Sequence, residues 1–297
     1  KNYRKLGAEG LMVFPSLAYR TDRRETIVTS PVEAAPQYLM PLPGPHWGHF
    51  LAGLFTAAHF LCLTVQLYWL SLVPAVLAIA SVLWWVWSLD TGEDRPPQDI
   101  GGGCRVPVYV QGPQNHSWWA MVVLLLVDGT AFASLIFTYL FLWTVNPGVW
   151  PDDAAELPAL GWAAGGVALW ALGAVAMRVA SRALDRNRPW LMRAVLGIGF
   201  LILAAAAVAE PYGHVQSGLK AAESAYGAIV FMLAAWQGFH VAVLLLMTGY
   251  TLARSLARKL HARRRVTFDN AMLMWHYTCG QGAVALLLVH LFPRLAV

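Results

Sequence analysis

The chain has 297 residues, of which 58% are apolar and only 12% are charged. Soluble domains carry about twice that share of charge, so the composition excludes an ordinary soluble protein and favours one built for a bilayer. Cys62, Cys104 and Cys279 lie far apart without a CxxC spacing, which argues against a disulfide framework or a thiolate metal site.

Residues 1–41 are polar, mixed in charge and rich in proline. Proline removes a backbone donor and disfavours helix at the preceding residue, so this segment is predicted to be extended. Two apolar runs follow within residues 42–90, at about 49–68 and 71–89. The short connection between them predicts an antiparallel hairpin of transmembrane helices.

Residues 91–117 are rich in glycine and proline, which predicts an irregular loop. Residues 118–297 then contain five more apolar runs, at about 118–145, 159–179, 191–209, 225–253 and 271–292. Unpaired backbone groups are costly in lipid, and the runs lack the alternation of a barrel strand, so each run is predicted to be a helix. The predicted fold is an all-α integral membrane protein with seven transmembrane helices.

The positive charges predict the orientation of the chain. If the N-terminus is cytoplasmic, 19 of the 21 Lys and Arg residues fall on the cytoplasmic side, and only Lys220 and Arg294 fall outside. This distribution follows the positive-inside rule and favours seven crossings. The basic segment 254–265 follows a membrane exit, so we expect it to meet anionic lipid headgroups and not nucleic acid.

Asp128 is the one carboxylate inside a predicted span. It lies about ten residues into the third span, roughly 15 Å along the helix, where a charge is expensive and desolvation favours the neutral acid. Two interpretations stay open: a protonated acid that bonds to a neighbouring helix, or a carboxylate with a proton-linked or regulatory role.

His240 and His276 lie in the sixth and seventh spans, and His59 and His290 are also within spans. No two of them share a helix at the spacing of three or four residues that would offer one metal a pair of ligands. The sequence therefore predicts no metal site. It predicts neutral histidines that donate to neighbouring helices or line a polar seam with Asp128.

Two short motifs predict close helix packing, because each joins a polar side chain to small residues. They are Gln237–Gly238 and Gly280–Gln281–Gly282. No phosphate-binding loop, nucleophile elbow or dinucleotide fingerprint occurs in the sequence.

Three segments together resemble subunit III of the haem–copper cytochrome oxidases. Residues 116–142 resemble its third helix, with a tryptophan-rich start and a carboxylate at mid-helix. That residue is usually glutamate in the family, and Asp128 stands in its place. Residues 223–250 resemble the sixth helix, with Gln237-Gly238-Phe239-His240 at the position of a small-residue and histidine signature.

Residues 268–293 resemble the last helix of that family, with Trp275-His276-Tyr277 in place of Trp-His-Phe or Trp-Tyr-Phe. The resemblance covers residues 42–297. Residues 1–41 resemble the junction of oxidases in which subunits I and III are one polypeptide, so we expect the chain to be the C-terminal part of such a fusion.

The resemblance implies a non-catalytic subunit in a bacterial plasma membrane, with residues 42–90 as a two-helix arm and 118–297 as a five-helix bundle. In the family, haem and copper belong to the partner catalytic subunit, and this chain would hold neither. It would bind subunits I and II and phospholipid, protect the catalytic subunit during turnover and support proton uptake. Asp128 would lie near lipid and the route of incoming protons.

Three other functions were weighed against this one. A subunit III-like component of a quinol oxidase or a nitric oxide reductase complex fits nearly as well. A proton-coupled secondary transporter could use Asp128 and the histidines, although no inverted repeat or broken helix is visible. A seven-helix receptor would place its N-terminus outside, against the distribution of charge.

Overall fold

Helices dominate the computed structural model, which describes residue 9 and residues 24–42, 45–89, 96–108, 116–150 and 159–296. Much of the predicted segments 1–41 and 91–117 lies outside the described residues. The helices are α1 Gly48–Thr64, α2 Tyr68–Leu89, α3 His116–Val145, α4 Leu160–Asp185, α5 Pro189–Gln216, α6 Ala225–Leu256 and α7 Val266–Ala296.

Six of these helices, α2 to α7, are long and apolar enough to cross a membrane. Helix α1 is apolar but has 17 residues, which extend over about 26 Å at 1.5 Å per residue, less than the roughly 30 Å of a hydrocarbon core. The chain is a helical multi-pass membrane protein, and its seventh crossing stays a prediction.

Several helices continue beyond the predicted spans. Helix α5 ends at Gln216 and not near residue 209, with Pro211 inside it, and α7 begins at Val266 and not near residue 271. The apolar run marks only the part of a helix that would lie in hydrocarbon. Beyond the hydrocarbon core a helix can continue through polar residues, because its backbone hydrogen bonds are made within the helix.

The chain divides into two compact units, residues 1–111 and 112–297. In the first unit, α1 and α2 pack as an antiparallel pair. A Cβ atom at Gly48 would lie 2.6 Å from the Cβ of Trp85, so glycine allows the two helices to approach there. The Nδ1 atom of His59 donates to the carbonyl oxygen of Ser71 over 2.9 Å, which satisfies this histidine across the pair.

Two small antiparallel sheets also belong to the first unit. Strand β1, Arg24–Thr29, pairs with β2, Pro36–Leu42, and strand β3, Gln98–Asp99, pairs with β4, Arg105–Val106. The predicted extended segment is therefore a paired hairpin where the structure describes it. The predicted irregular loop contains a second hairpin, whose turn uses the positive φ angles of Gly101, Gly102 and Gly103.

The second unit consists of α3 to α7, with α7 packed against α3, α4 and α6. One end of this unit, here called the basic end, joins the starts of α3, α5 and α7 to the ends of α4 and α6. Arg265 lies there, immediately before α7. Its Nε donates to Asp269 over 2.8 Å, its Nη2 donates to the hydroxyl of Ser181 over 3.0 Å, and its Nη1 donates to Asp185.

The opposite end of the same unit, here called the aromatic end, has a different character. Rings from α6, from α7 and from Trp150, which follows α3, pack edge to face or tilted around the buried Tyr139 of α3. Tyr139 contacts Trp150, Tyr226 and Phe292 at centroid distances of 5.3 to 6.4 Å. Such arrangements add to the stabilisation from burial alone. The two ends are therefore held by different chemistry.

Candidate functional site

The site lies where α3, α6 and α7 meet inside the second unit. Asp128 extends from the middle of α3, and its side chain is 22% exposed. Its Oδ2 atom accepts a hydrogen bond from the Tyr277 hydroxyl over 2.6 Å and shares a second hydrogen bond with Nε2 of His240 over 2.8 Å. Three helices that are distant in sequence thus contribute one side chain each.

His240 is 2% exposed, and both of its ring nitrogens make contacts. Its Nδ1 atom lies 2.8 Å from the carbonyl oxygen of Trp236, one turn earlier in α6. A carbonyl oxygen only accepts, so Nδ1 carries a hydrogen and donates it. A single proton therefore lies on the line between Nε2 and the carboxyl of Asp128, and the pair as a whole carries no net charge.

The donors around Asp128 have a fixed direction. The side-chain amide of Gln281, one turn after Tyr277, donates to the tyrosine oxygen over 3.3 Å. The hydroxyl of Tyr277 therefore accepts from Gln281 and gives its own hydrogen to Asp128. The result is a chain of donation that runs from the buried face of α7 to the carboxyl group.

A second group of polar side chains lies beside the site at the contact of α4, α6 and α7. The amide of Gln237 donates to the carbonyl oxygen of Thr278 over 3.0 Å. A Cβ atom at Gly282 would lie 2.6 Å from both the amide nitrogen of Gln237 and the ring of Trp170. A Cβ at Gly238 would meet nothing within 4 Å, so the close approach falls at Gly282.

Trp275 is fully buried and fixes the contact between α7 and α4. Its indole N–H donates to the carbonyl oxygen of Gly173 over 2.8 Å. A Cβ atom at Gly199 in α5 would lie 2.9 Å from its ring, so the ring fills a slot between two helices. This is a packing role, and it satisfies the one donor of a buried indole.

His276 lies next to Tyr277 in sequence but not in the site. Neighbouring positions on a helix point about 100° apart, and the contacts of Asp128 go to Tyr277. The structure therefore brings together Asp128, His240 and Tyr277 and leaves His276 outside this group.

His290 is also outside the site, at the aromatic end of the unit. Its ring stacks on that of His214 with centroids 5.1 Å apart, and each side chain is 2% exposed. Both nitrogens of His214 and Nδ1 of His290 lack a hydrogen-bond partner within the part of the chain that the structure describes. Sequence reasoning did not consider His214, because it follows the predicted end of the fifth span.

Among the described residues, no group of three or more His, Cys, Asp or Glu side chains could hold a metal ion. A scan against protein-family models finds no match for this chain, and a search of curated proteins finds no related sequence. What the site can do therefore rests on its own geometry, which is that of a proton shared within a pair of side chains.

Proposed function

We propose that this chain is a non-catalytic subunit III, or a fused subunit III domain, of a proton-pumping haem–copper cytochrome c oxidase. One observation carries the proposal. The three segments that resemble the family in sequence each supply one member of the hydrogen-bonded group of Asp128, His240 and Tyr277. A resemblance by chance would give no reason for these residues to converge.

The proposed topology has seven crossings of a bacterial plasma membrane, with a cytoplasmic N-terminus. The distribution of Lys and Arg supports it, because the basic end of the second unit carries Arg265 and its neighbours. In this arrangement α1 is a short crossing at the lower limit of the usual range of lengths. The aromatic end of the second unit then faces the outside.

In the proposed complex, haem and copper are held by the partner catalytic subunit, and this chain binds subunits I and II and phospholipid. Its contribution is to stabilise the catalytic subunit and to support proton uptake. Asp128 suits that role because it is partly exposed on the surface of α3 and shares a proton with His240. Within this pair the proton can move from one side chain to the other without creating a net charge in the membrane.

The test is purification of the tagged full-length chain from its own membranes in a mild detergent, followed by an absorbance spectrum and a metal analysis. The expected result is a complex that contains haem and copper and consumes oxygen with reduced cytochrome c. The control is an unrelated tagged multi-pass protein from the same membranes, which should bring down neither. Activity with a quinol in place of cytochrome c would move the chain to the quinol oxidases.

A proton-coupled transporter is the second candidate, and the shared proton of Asp128 and His240 is the observation that favours it. The same purification separates the two functions. A chain that purifies without haem and drives proton-coupled uptake of a solute after reconstitution into vesicles would remove the oxidase proposal.

A further inference from the structure

We infer that the site is an intramembrane ion pair, in which Asp128 is a carboxylate, the shared proton resides on Nε2 of His240, and Tyr277 and Gln281 are positioning residues that keep it there. This inference concerns the form of the site and not the complex that it serves. It holds for an oxidase component and for a transporter alike, so its failure leaves the proposed function standing.

Two hydrogen bonds meet on one oxygen of Asp128. Oδ2 of Asp128 takes part in both the 2.6 Å contact from Tyr277 and the 2.8 Å contact with His240. These distances fall in the ranges of about 2.5–2.7 Å for O–H···O⁻ and 2.7–2.9 Å for N⁺–H···O⁻ bonds. If Oδ2 carried the proton, it would be a hydroxyl oxygen, and the tyrosine would find a better acceptor in Oδ1.

The imidazolium form of His240 would have a hydrogen-bond partner at each ring nitrogen. A protonated histidine has two N–H donors and no acceptor. In His240 one donor points to the carbonyl oxygen of Trp236 over 2.8 Å and the other to Asp128. A buried cation with both donors used, beside an anion that receives two donors, meets the conditions under which a buried ion pair is tolerated.

Gln281 sets the direction of the hydrogen bond between Tyr277 and Asp128. Because its amide donates to the oxygen of Tyr277 over 3.3 Å, the tyrosine hydrogen is directed to the carboxylate. Loss of this hydroxyl removes one of the two donors to the carboxylate. In Tyr277→Phe, the N–H bond at Nε2 of His240 should therefore break and an O–H bond form on Asp128, with the pair still neutral overall.

The experiment uses the full-length chain in lipid nanodiscs at about pH 8, where an ordinary histidine is neutral. Infrared difference spectra against Asp128→Asn report a protonated carboxylic acid, and ¹⁵N spectra of labelled histidine report an imidazolium. The wild type should show one imidazolium and no acid carbonyl band at Asp128. Tyr277→Phe should gain that band and lose the imidazolium signal, whereas the control Tyr212→Phe, an exposed tyrosine of α5, should do neither.

Two outcomes would overturn the inference. The first is an acid carbonyl band in the wild type that disappears in Asp128→Asn, because the proton would then belong to the carboxyl group. The second is a folded Tyr277→Phe protein with the wild-type spectra, because the tyrosine would then have no influence on the proton. If Tyr277→Phe does not fold, the wild type and Asp128→Asn alone decide where the proton resides.

Discussion

Single residues of the second unit differ sharply in how much space they have, and the glycines of α7 show this best. Gly280 and Gly282 are two positions apart and look equivalent in the sequence. A Cβ at Gly280 would meet nothing within 4 Å, whereas one at Gly282 would lie 2.6 Å from Gln237 and from Trp170. Only the packed structure distinguishes them, since the sequence does not show which face of α7 meets α4 and α6.

Gly282→Ala should therefore destabilise the protein by about 1–3 kcal/mol, because an added methyl group in a filled core forces its neighbours to move. Gly280→Ala is the matched control and should be neutral or stabilising by up to about 1 kcal/mol, since alanine favours helix over glycine. The measurement is unfolding followed by circular dichroism in detergent. Equal effects of the two substitutions would show that Gly282 does not lie in a tight contact.

At the same scale, the sequence anticipated part of the site. It singles out Asp128 as the one carboxylate inside a predicted span and suggests a polar seam with histidine, and in the structure His240 contacts its carboxyl group. Tyr277 was noted only for its place in a motif. The carbonyl of Trp236 could not have been chosen from the sequence, because every residue has one and only the path of the helix decides which is near.

At the scale of the helices, polar side chains on an exposed apolar surface are satisfied by the backbone of their own helix. In α3 the exposed hydroxyls of Thr130, Ser134, Thr138 and Thr144 each donate to a backbone carbonyl oxygen three or four residues earlier. Each group is thus satisfied within its own helix. Apolar residues are distributed around the whole of helix α3. The pattern therefore predicts a span but does not predict which face of the helix meets α6 and α7.

At the basic end, Arg265 connects the end of α4 to the start of α7 through contacts with Asp185, Ser181 and Asp269. Arg265→Gln should lower the free energy of unfolding by about 1–3 kcal/mol, since it leaves the buried Asp269 without its charged partner. Arg263→Gln is the control, because Arg263 is exposed beside it. A drop of the same size in both variants would contradict a specific role for Arg265.

At the scale of the whole molecule, the main property to determine is how many times the chain crosses the membrane. The seven apolar runs predict seven helices, and the structure has one helix for each run. Such runs can be recognised from the sequence alone, because a span needs about 20 consecutive apolar residues whatever it packs against. The number of crossings depends on α1, whose 17 residues fall short of the others. The strands of the first unit are not predicted, because the proline and glycine content of these segments is typical of unpaired chain, although each strand pairs with the next one along the sequence.

Single cysteines in a cysteine-free background can settle the topology by labelling with a membrane-impermeant maleimide. In the proposed seven-span topology, Glu33→Cys and Arg258→Cys should react only from the cytoplasmic side, and Leu67→Cys and Lys220→Cys only from the outside. All four positions are exposed, so the reagent can reach each of them. Intact cells and inverted vesicles provide the two orientations. Reaction of Leu67→Cys from the same side as Glu33→Cys would mean that α1 does not cross and that six spans are correct.

The stacked rings of His214 and His290 have a consequence for the unit that contains them. Three of their buried nitrogens find no partner among the described residues, and each such atom costs about 1–3 kcal/mol. The aromatic end is thus held by dispersion forces against a polar penalty, while the basic end is fastened by charged hydrogen bonds. We therefore expect local opening of the five-helix unit to begin at its aromatic end, and a neighbour that covers this end to protect the unit more than one bound at the other end.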